Sequence, residues 1–144
     1  TLSAGEDPLR FLELWGAVFA VSLAFQVGAS LRRARWTGEP FWSSLVIEIV
    51  HALWPPFVVA LVLTGLLFDR GVPDLIPVTW VLCYGIGALA AARHHREVGW
   101  LGLAFLVTGA LYAVTPVSDA LLLGVSFCVH HLLFGLLLAW RRAA

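Results

Sequence analysis

His130 and His131 stand side by side in the run SFCVHHLLFG, and Glu48 and His51 stand three residues apart in SLVIEIVHALWPPF. Imidazole and carboxylate are the side chains that hold metals, ligate haem iron or pass protons, and both runs are otherwise apolar. Glu48 and His51, at i and i+3, share one helical face. Pro55 and Pro56 follow; lacking N–H groups, they free the carbonyls of His51 and Ala52 from the helical ladder. Counted at 1.5 Å per residue, His51 lies about 12 Å in from Ser43, and His131 about 14 Å back from Trp140. The two levels coincide, so Glu48, His51 and His131 form the candidate set. On an α-helix His131 shares its face with Gly124, Cys128 and Gly135, small residues suited to a bundle interior. His130 shares its face with Leu123, Phe127, Phe134 and Leu137, which points to lipid or apolar core.

Four roles compete for these groups. A Glu-x-x-His pair with a further histidine is a transition-metal ligand pattern, although di-metal bundles use more carboxylates than this chain supplies. His51 and His131 on facing helices could be the axial pair of a haem. The same level could carry a proton or small cation. The structural account is a hydrogen-bonded cluster that sets helix register around the proline pair, and it needs no cofactor. Elsewhere, His94 and His95 in RHHRE read as a solvated charged turn, and Glu13, three residues after Arg10, snorkels or pairs near a helix end. Cys83 and Cys128 fall in apolar runs and read as buried free thiols. No Ser-His-Asp set, aspartate dyad or glycine-rich phosphate loop is present, so an enzyme acting on lipids is a distant reading. Lysine is absent altogether, which excludes Schiff-base chemistry and a phosphate-binding P-loop.

The elements that carry these groups are membrane spans. The chain is 60% hydrophobic and 12% charged, with a mean hydropathy of +0.90; soluble domains are about 45–50% apolar. A net charge of +0 without a basic patch argues against nucleic acid as a partner. Five apolar runs, 11–31, 41–68, 76–92, 98–115 and 120–140, approach or exceed the ~20 residues of a crossing helix. The short linkers between them leave no room for a second domain, so residues 1–144 are expected to form one all-α transmembrane bundle of five up-and-down helices. The length of the second run implies that Pro55 and Pro56 bend it.

Arginine placement orients the bundle. Arg32, Arg33, Arg35, Arg93, Arg96, Arg141 and Arg142 fall on one side, and Arg10 and Arg70 on the other. That asymmetry places the N-terminus outside and the C-terminus in the cytoplasm. Trp36, Trp42, Trp100 and Trp140 mark the cytoplasmic interface. The run YGIGALAAA and Gly99, Gly102 and Gly109 allow close helix approach, first of all within the chain, with a dimer face as the alternative.

Pro40–Phe41–Trp42–Ser43, then Pro55–Pro56, then Trp80 with Tyr84–Gly85, and finally Phe127, His131 and Gly135 form a spaced pattern after Gly38. In it the chain resembles a group of small bacterial integral membrane proteins of unknown function. It departs from them at Cys128, where the pattern has glycine, and in having Glu48 and His51. The resemblance implies a multi-pass protein of the bacterial plasma membrane and supplies no chemistry. The functional expectation is a small non-enzymatic membrane component acting by helix association, as a homo-oligomer or a subunit of a larger complex. The alternative is a binder or conductor of a cation, proton, metal or haem through Glu48, His51 and His131.

Overall fold

The computed structural model describes residues 3–38, 40–93, 96–115 and 117–143, with backbone alone at Leu45, Arg142 and Ala143. Among these residues every regular element is helical. Helix α1 spans Pro8–Thr37, α2 Ser44–Asp69, α3 Ile76–Ala91 and α4 Arg96–Tyr112. The last rod has three pieces: α5 over Asp119–Leu123, a π-helical stretch over Gly124–Val129, and α6 over His130–Ala143.

Local chemistry sets the boundaries. The Asp7 carboxylate accepts the Arg10 N–H at 3.2 Å ahead of α1, and Pro8 occupies the first turn, where its missing N–H costs nothing. Gly38, at φ 70°, ends α1 in the left-handed conformation that glycine tolerates best. Ser43 caps α2 through the Val46 N–H, and Ser118 caps α5 through the Leu121 N–H. Helix α2 runs without a break through Pro55 and Pro56 to Asp69.

Successive helices are antiparallel, as contacts at matched levels show. Trp80 of α3 bonds Thr64 of α2 at 3.0 Å, Leu82 of α3 meets Gly109 of α4, and Glu97 of α4 pairs with Arg141 of α6 at 3.3 Å. One end of the bundle therefore collects the arginines of α1, the α3–α4 turn and α6. The other collects Asp74 and Asp119, with the chain before α1 laid across it. Four of the rods are long and apolar enough to cross a membrane: Pro8–Thr37, Val46–Asp69, Pro73–Ala91 and Asp119–Arg141. Helix α4, at 17 residues, is shorter than the 98–115 run, because it stops at Tyr112 and the chain then turns.

Glycine decides which helices touch. A Cβ on Gly102 would stand 2.7 Å from the Leu89 nitrogen and 2.8 Å from the Gly85 oxygen. A Cβ on Gly87 would stand 2.9 Å from Leu53 Cδ2 and 3.4 Å from the Ala52 oxygen, the carbonyl that Pro56 releases. Gly85, Gly99 and Gly109 are similarly enclosed, so the small residues of α3 and α4 are used within the chain. On α1 the opposite holds: Gly16 and Gly28 have nothing within 4 Å of an added Cβ, and every residue from Gly16 to Ala29 is exposed.

Gly102→Ala forces a methyl against backbone that cannot swing away, and overpacking of this kind costs about 1–3 kcal/mol. Thermal unfolding in detergent, followed by circular dichroism, should show that loss for Gly102→Ala and none for Gly28→Ala.

Candidate functional site: a buried tyrosine–histidine pair beside a π-helical turn

The mid-depth polar groups converge on the last rod rather than on α2. His131 Nε2 lies 2.7 Å from the Tyr84 hydroxyl of α3; with Nε2 unprotonated, the hydroxyl donates and the imidazole accepts. The Tyr84 ring packs against Phe105 of α4 at 4.5 Å between centroids and edge-on to Phe127 at 5.4 Å. Phe57 of α2 stacks on it at 6.1 Å. His130 reaches a different helix: its Nε2 makes a long 3.5 Å contact with Thr108 Oγ1 of α4, and its ring meets Phe105 edge-on at 5.4 Å. Phe105 is fully buried and lies between the two imidazoles and Tyr84.

The π-helical stretch accounts for both inward turns. The His130 N–H reaches back five residues to the Val125 carbonyl instead of four. The extra residue breaks the α-helical phase between Gly124–Cys128 and the histidines, and such turns recur at functional positions in proteins. The expected small-residue face is corrected accordingly: Cys128 and Gly135 are exposed, and Gly124 has no neighbour within 4 Å of an added Cβ. Cys128 is thus an exposed thiol, and only Cys83 is buried. His130, expected on an apolar face apart from the site, instead takes part in it.

Three polar atoms beside the π turn are buried without a hydrogen-bond partner among the described residues: Ser126 Oγ, His130 Nδ1 and His131 Nδ1. The Ser126 and Phe127 carbonyls face the His131 ring without forming a well-aligned bond. Groups of this kind in an apolar interior recruit water or a small hydrogen-bonding guest.

A second polar knot closes the acidic end. Asp119, 5% exposed, accepts the Ala4 N–H at 2.8 Å and the Tyr112 hydroxyl. It ties the chain ahead of α1 to α4 and to the first turn of α5, where a carboxylate also suits the helix dipole.

The expected set of Glu48, His51 and His131 is not gathered. His51 is exposed on α2, Glu48 is half-buried, and His131 Nε2 is engaged by Tyr84. No three His, Cys, Asp or Glu side chains among the described residues are grouped to hold a metal. Neither depth nor azimuth brings them together: Tyr84, the partner of His131, lies against Phe57, six residues and about 9 Å along α2 from His51, and α3 stands between α2 and the last rod. His94 and His95 lie outside the described residues. Tyr84 had entered the reading only as part of a spaced pattern, and Thr108, Tyr112 and Ser126 not at all. A usable signal existed: a lone phenol in an apolar helix needs a partner, and Phe105, Thr108 and Tyr112 share one face of α4.

Removing either member of a buried hydrogen-bonded pair strands the other at about 1–3 kcal/mol. Tyr84→Phe and His131→Leu should therefore each destabilise the protein, with the double variant costing clearly less than the sum of the two. His51→Leu combined with His131→Leu should be additive. Denaturation cycles in one detergent measure both pairs, and additive behaviour of positions 84 and 131 would remove the assignment.

The comparisons with known proteins are silent: no family model, no curated protein and no solved structure matches this chain.

Proposed function

We propose that the protein is a polytopic component of a bacterial plasma membrane that acts by helix association, with a second copy of the chain docking along α1. In this reading it crosses the bilayer five times, with the N-terminus outside and the arginine-rich end in the cytoplasm. Helix α4 crosses alongside α3, to which it is antiparallel throughout. The observation that carries the proposal is the unbroken exposure of α1 from Gly16 to Ala29, while the glycines of α3 and α4 are already spent on each other.

The outward face of α1 is suited to a like helix. Gly16, Ala20 and Ala24 recur at intervals of four, which leaves a shallow stripe for close backbone approach. Copies inserted with one topology present that stripe at equal depth, as a two-fold axis along the membrane normal requires. Arg10 and Glu13, both exposed, flank the same face one turn apart. In such a pair Arg10 of one copy lies one turn from Glu13 of the other, within reach of a long side chain, so opposite charges can pair diagonally across the interface.

A second reading has its own support. Ser126 Oγ, His130 Nδ1 and His131 Nδ1 are buried and without a partner among the described residues beside the Tyr84–His131 bond, which suits a short proton relay. Proteoliposomes with an internal pH dye should then show proton flux above empty vesicles and its loss in His131→Leu; equal flux in both ends this reading.

For the association reading, single cysteines are placed in a Cys83→Ala, Cys128→Ser background. Ala24→Cys should form disulfide-linked dimers on mild oxidation in native membranes, and Ser22→Cys, on the opposite face, should not. In the same panel Ser3→Cys and Ala143→Cys should label from opposite sides of the membrane. Equal crosslinking at 22 and 24 removes the stripe as the interface, and same-side labelling removes the five-span topology.

A further inference from the structure

The arginine-rich end of α1 has a feature that neither the tyrosine–histidine pair nor the dimer stripe uses. Phe25, Gly28 and Ala29, followed one to two turns later by Arg32, Arg33, Trp36 and Thr37, line an open groove of about 770 Å³ along one side of α1. The Arg32 guanidinium is stacked over the Trp36 ring, 4.5 Å from its centroid. The stack holds one charge at the groove mouth without a carboxylate, through the attraction of a cation to an aromatic face. Phe25 and Trp36 are 77% and 76% exposed, so apart from the Arg32 stack the described residues leave both rings largely open. The sequence has no carboxylate between Glu13 and Glu39, so the pair of guanidiniums has no acidic neighbour along this length of helix.

We propose that this groove binds one anionic phospholipid, its acyl chain along Phe25, Gly28 and Ala29 and its phosphate between Arg32 and Arg33. Three features match the ligand. The floor is apolar and lacks side-chain bulk at Gly28 and Ala29, as a methylene chain requires. The charge is confined to one end and is positive. The spacing also fits: Phe25 to Arg32 is about 10 Å along the axis, which takes the site from acyl depth to headgroup depth. Two arginines prefer a lipid with net negative charge over a zwitterionic one, whose own cation would meet them, and guanidinium binds phosphate through paired N–H donors. Basic pockets at the cytoplasmic face are a known physical route to such preference. The groove lies to one side of the Gly16–Ala20–Ala24 stripe, so a bound lipid and a docked copy are compatible. The site rests on the reading that α1 crosses the bilayer, and not on dimerisation.

The test reconstitutes the full chain in vesicles of equimolar phosphatidylcholine and phosphatidylglycerol, extracts it in mild detergent, and counts retained phospholipid by native mass spectrometry. The expected result is retained phosphatidylglycerol in preference to phosphatidylcholine, with binding about fivefold weaker for each of Arg32→Gln and Arg33→Gln, since a basic residue near the surface is worth about 1 kcal/mol. Arg35→Gln, outside the groove, should leave retention within twofold. Ala29→Leu keeps both charges and fills the floor, and it should release the lipid as the arginine variants do. Equal retention of the two lipids, equal loss in Arg35→Gln, or full retention in Ala29→Leu would each overturn the site in favour of a diffuse basic surface. Displacement by excess inorganic phosphate alone would overturn the lipid assignment. An alkaline wash of the same vesicles separates the two failures: protein that stays in the membrane without lipid preference defeats the site alone, whereas protein that washes out defeats the membrane reading with it.

Discussion

The close approach of α3 to both of its neighbours governs the arrangement of everything else. On one side Gly87 lies against the Ala52 carbonyl and Leu53 of α2; on the other, Gly85 and Gly102 bring the α3 and α4 backbones together. Between lipid-immersed helices there is no hydrophobic gain on contact, because lipid tails are as apolar as leucine, and packing of small residues must supply the attraction. The carbonyl released by Pro56 is part of that contact. Its cost is reduced where a glycine backbone can come near enough for a weak C–H···O interaction. With α3 held in this way, Tyr84 is carried to the centre of the bundle, where Phe57, Phe105 and Phe127 surround it.

The polar contacts then act as a ladder of register marks. Trp80 with Thr64 joins α3 to α2, and Tyr84 with His131 joins α3 to α6. Tyr112 with Asp119 joins the end of α4 to the start of α5, and Glu97 with Arg141 joins the opposite ends of α4 and α6. Each bond inside the apolar region contributes about 0.6–2 kcal/mol, and the exposed Glu97–Arg141 pair contributes less. Their larger effect is selective. A one-turn slip of the last rod would break the bonds of Tyr84 and Tyr112 together and leave buried polar groups unsatisfied. The π-helical stretch belongs to the same scheme, since it turns His130 and His131 toward two different helices at once.

Helix α1 stands apart from this core. Its start is anchored: Ala4 and Phe11 are buried, Ala4 bonds to Asp119, and Phe19 lies against Phe57 and Trp80. Beyond Phe19 it meets little of the chain. Anchored at one end, apolar along its length and basic at the other end, it leaves most of its surface uncovered by the described residues. The proposed docking stripe and the proposed lipid site occupy different sectors of that surface.

The sequence by itself determined the class and the layout. Apolar runs of crossing length, short linkers and one-sided arginines require a helical bundle with alternating directions, since each property is a one-dimensional pattern that lipid and water read independently of the partner helices. Neither the level of His131 against α2 nor its azimuth was legible. An α-helical wheel drawn through Gly124, Cys128 and His131 assumes four-residue bonds throughout, and the π-helical stretch at Gly124–Val129 invalidates it. Which helix stands opposite is likewise not written locally. A count of rise puts Glu48, His51 and His131 at one level, but the contacts set Tyr84 against Phe57, well past His51, and place α3 between, so the partner of His131 is Tyr84. Rise and hydropathy are properties of a segment, whereas rotation about its axis is settled only when neighbouring surfaces compete to fill the same space.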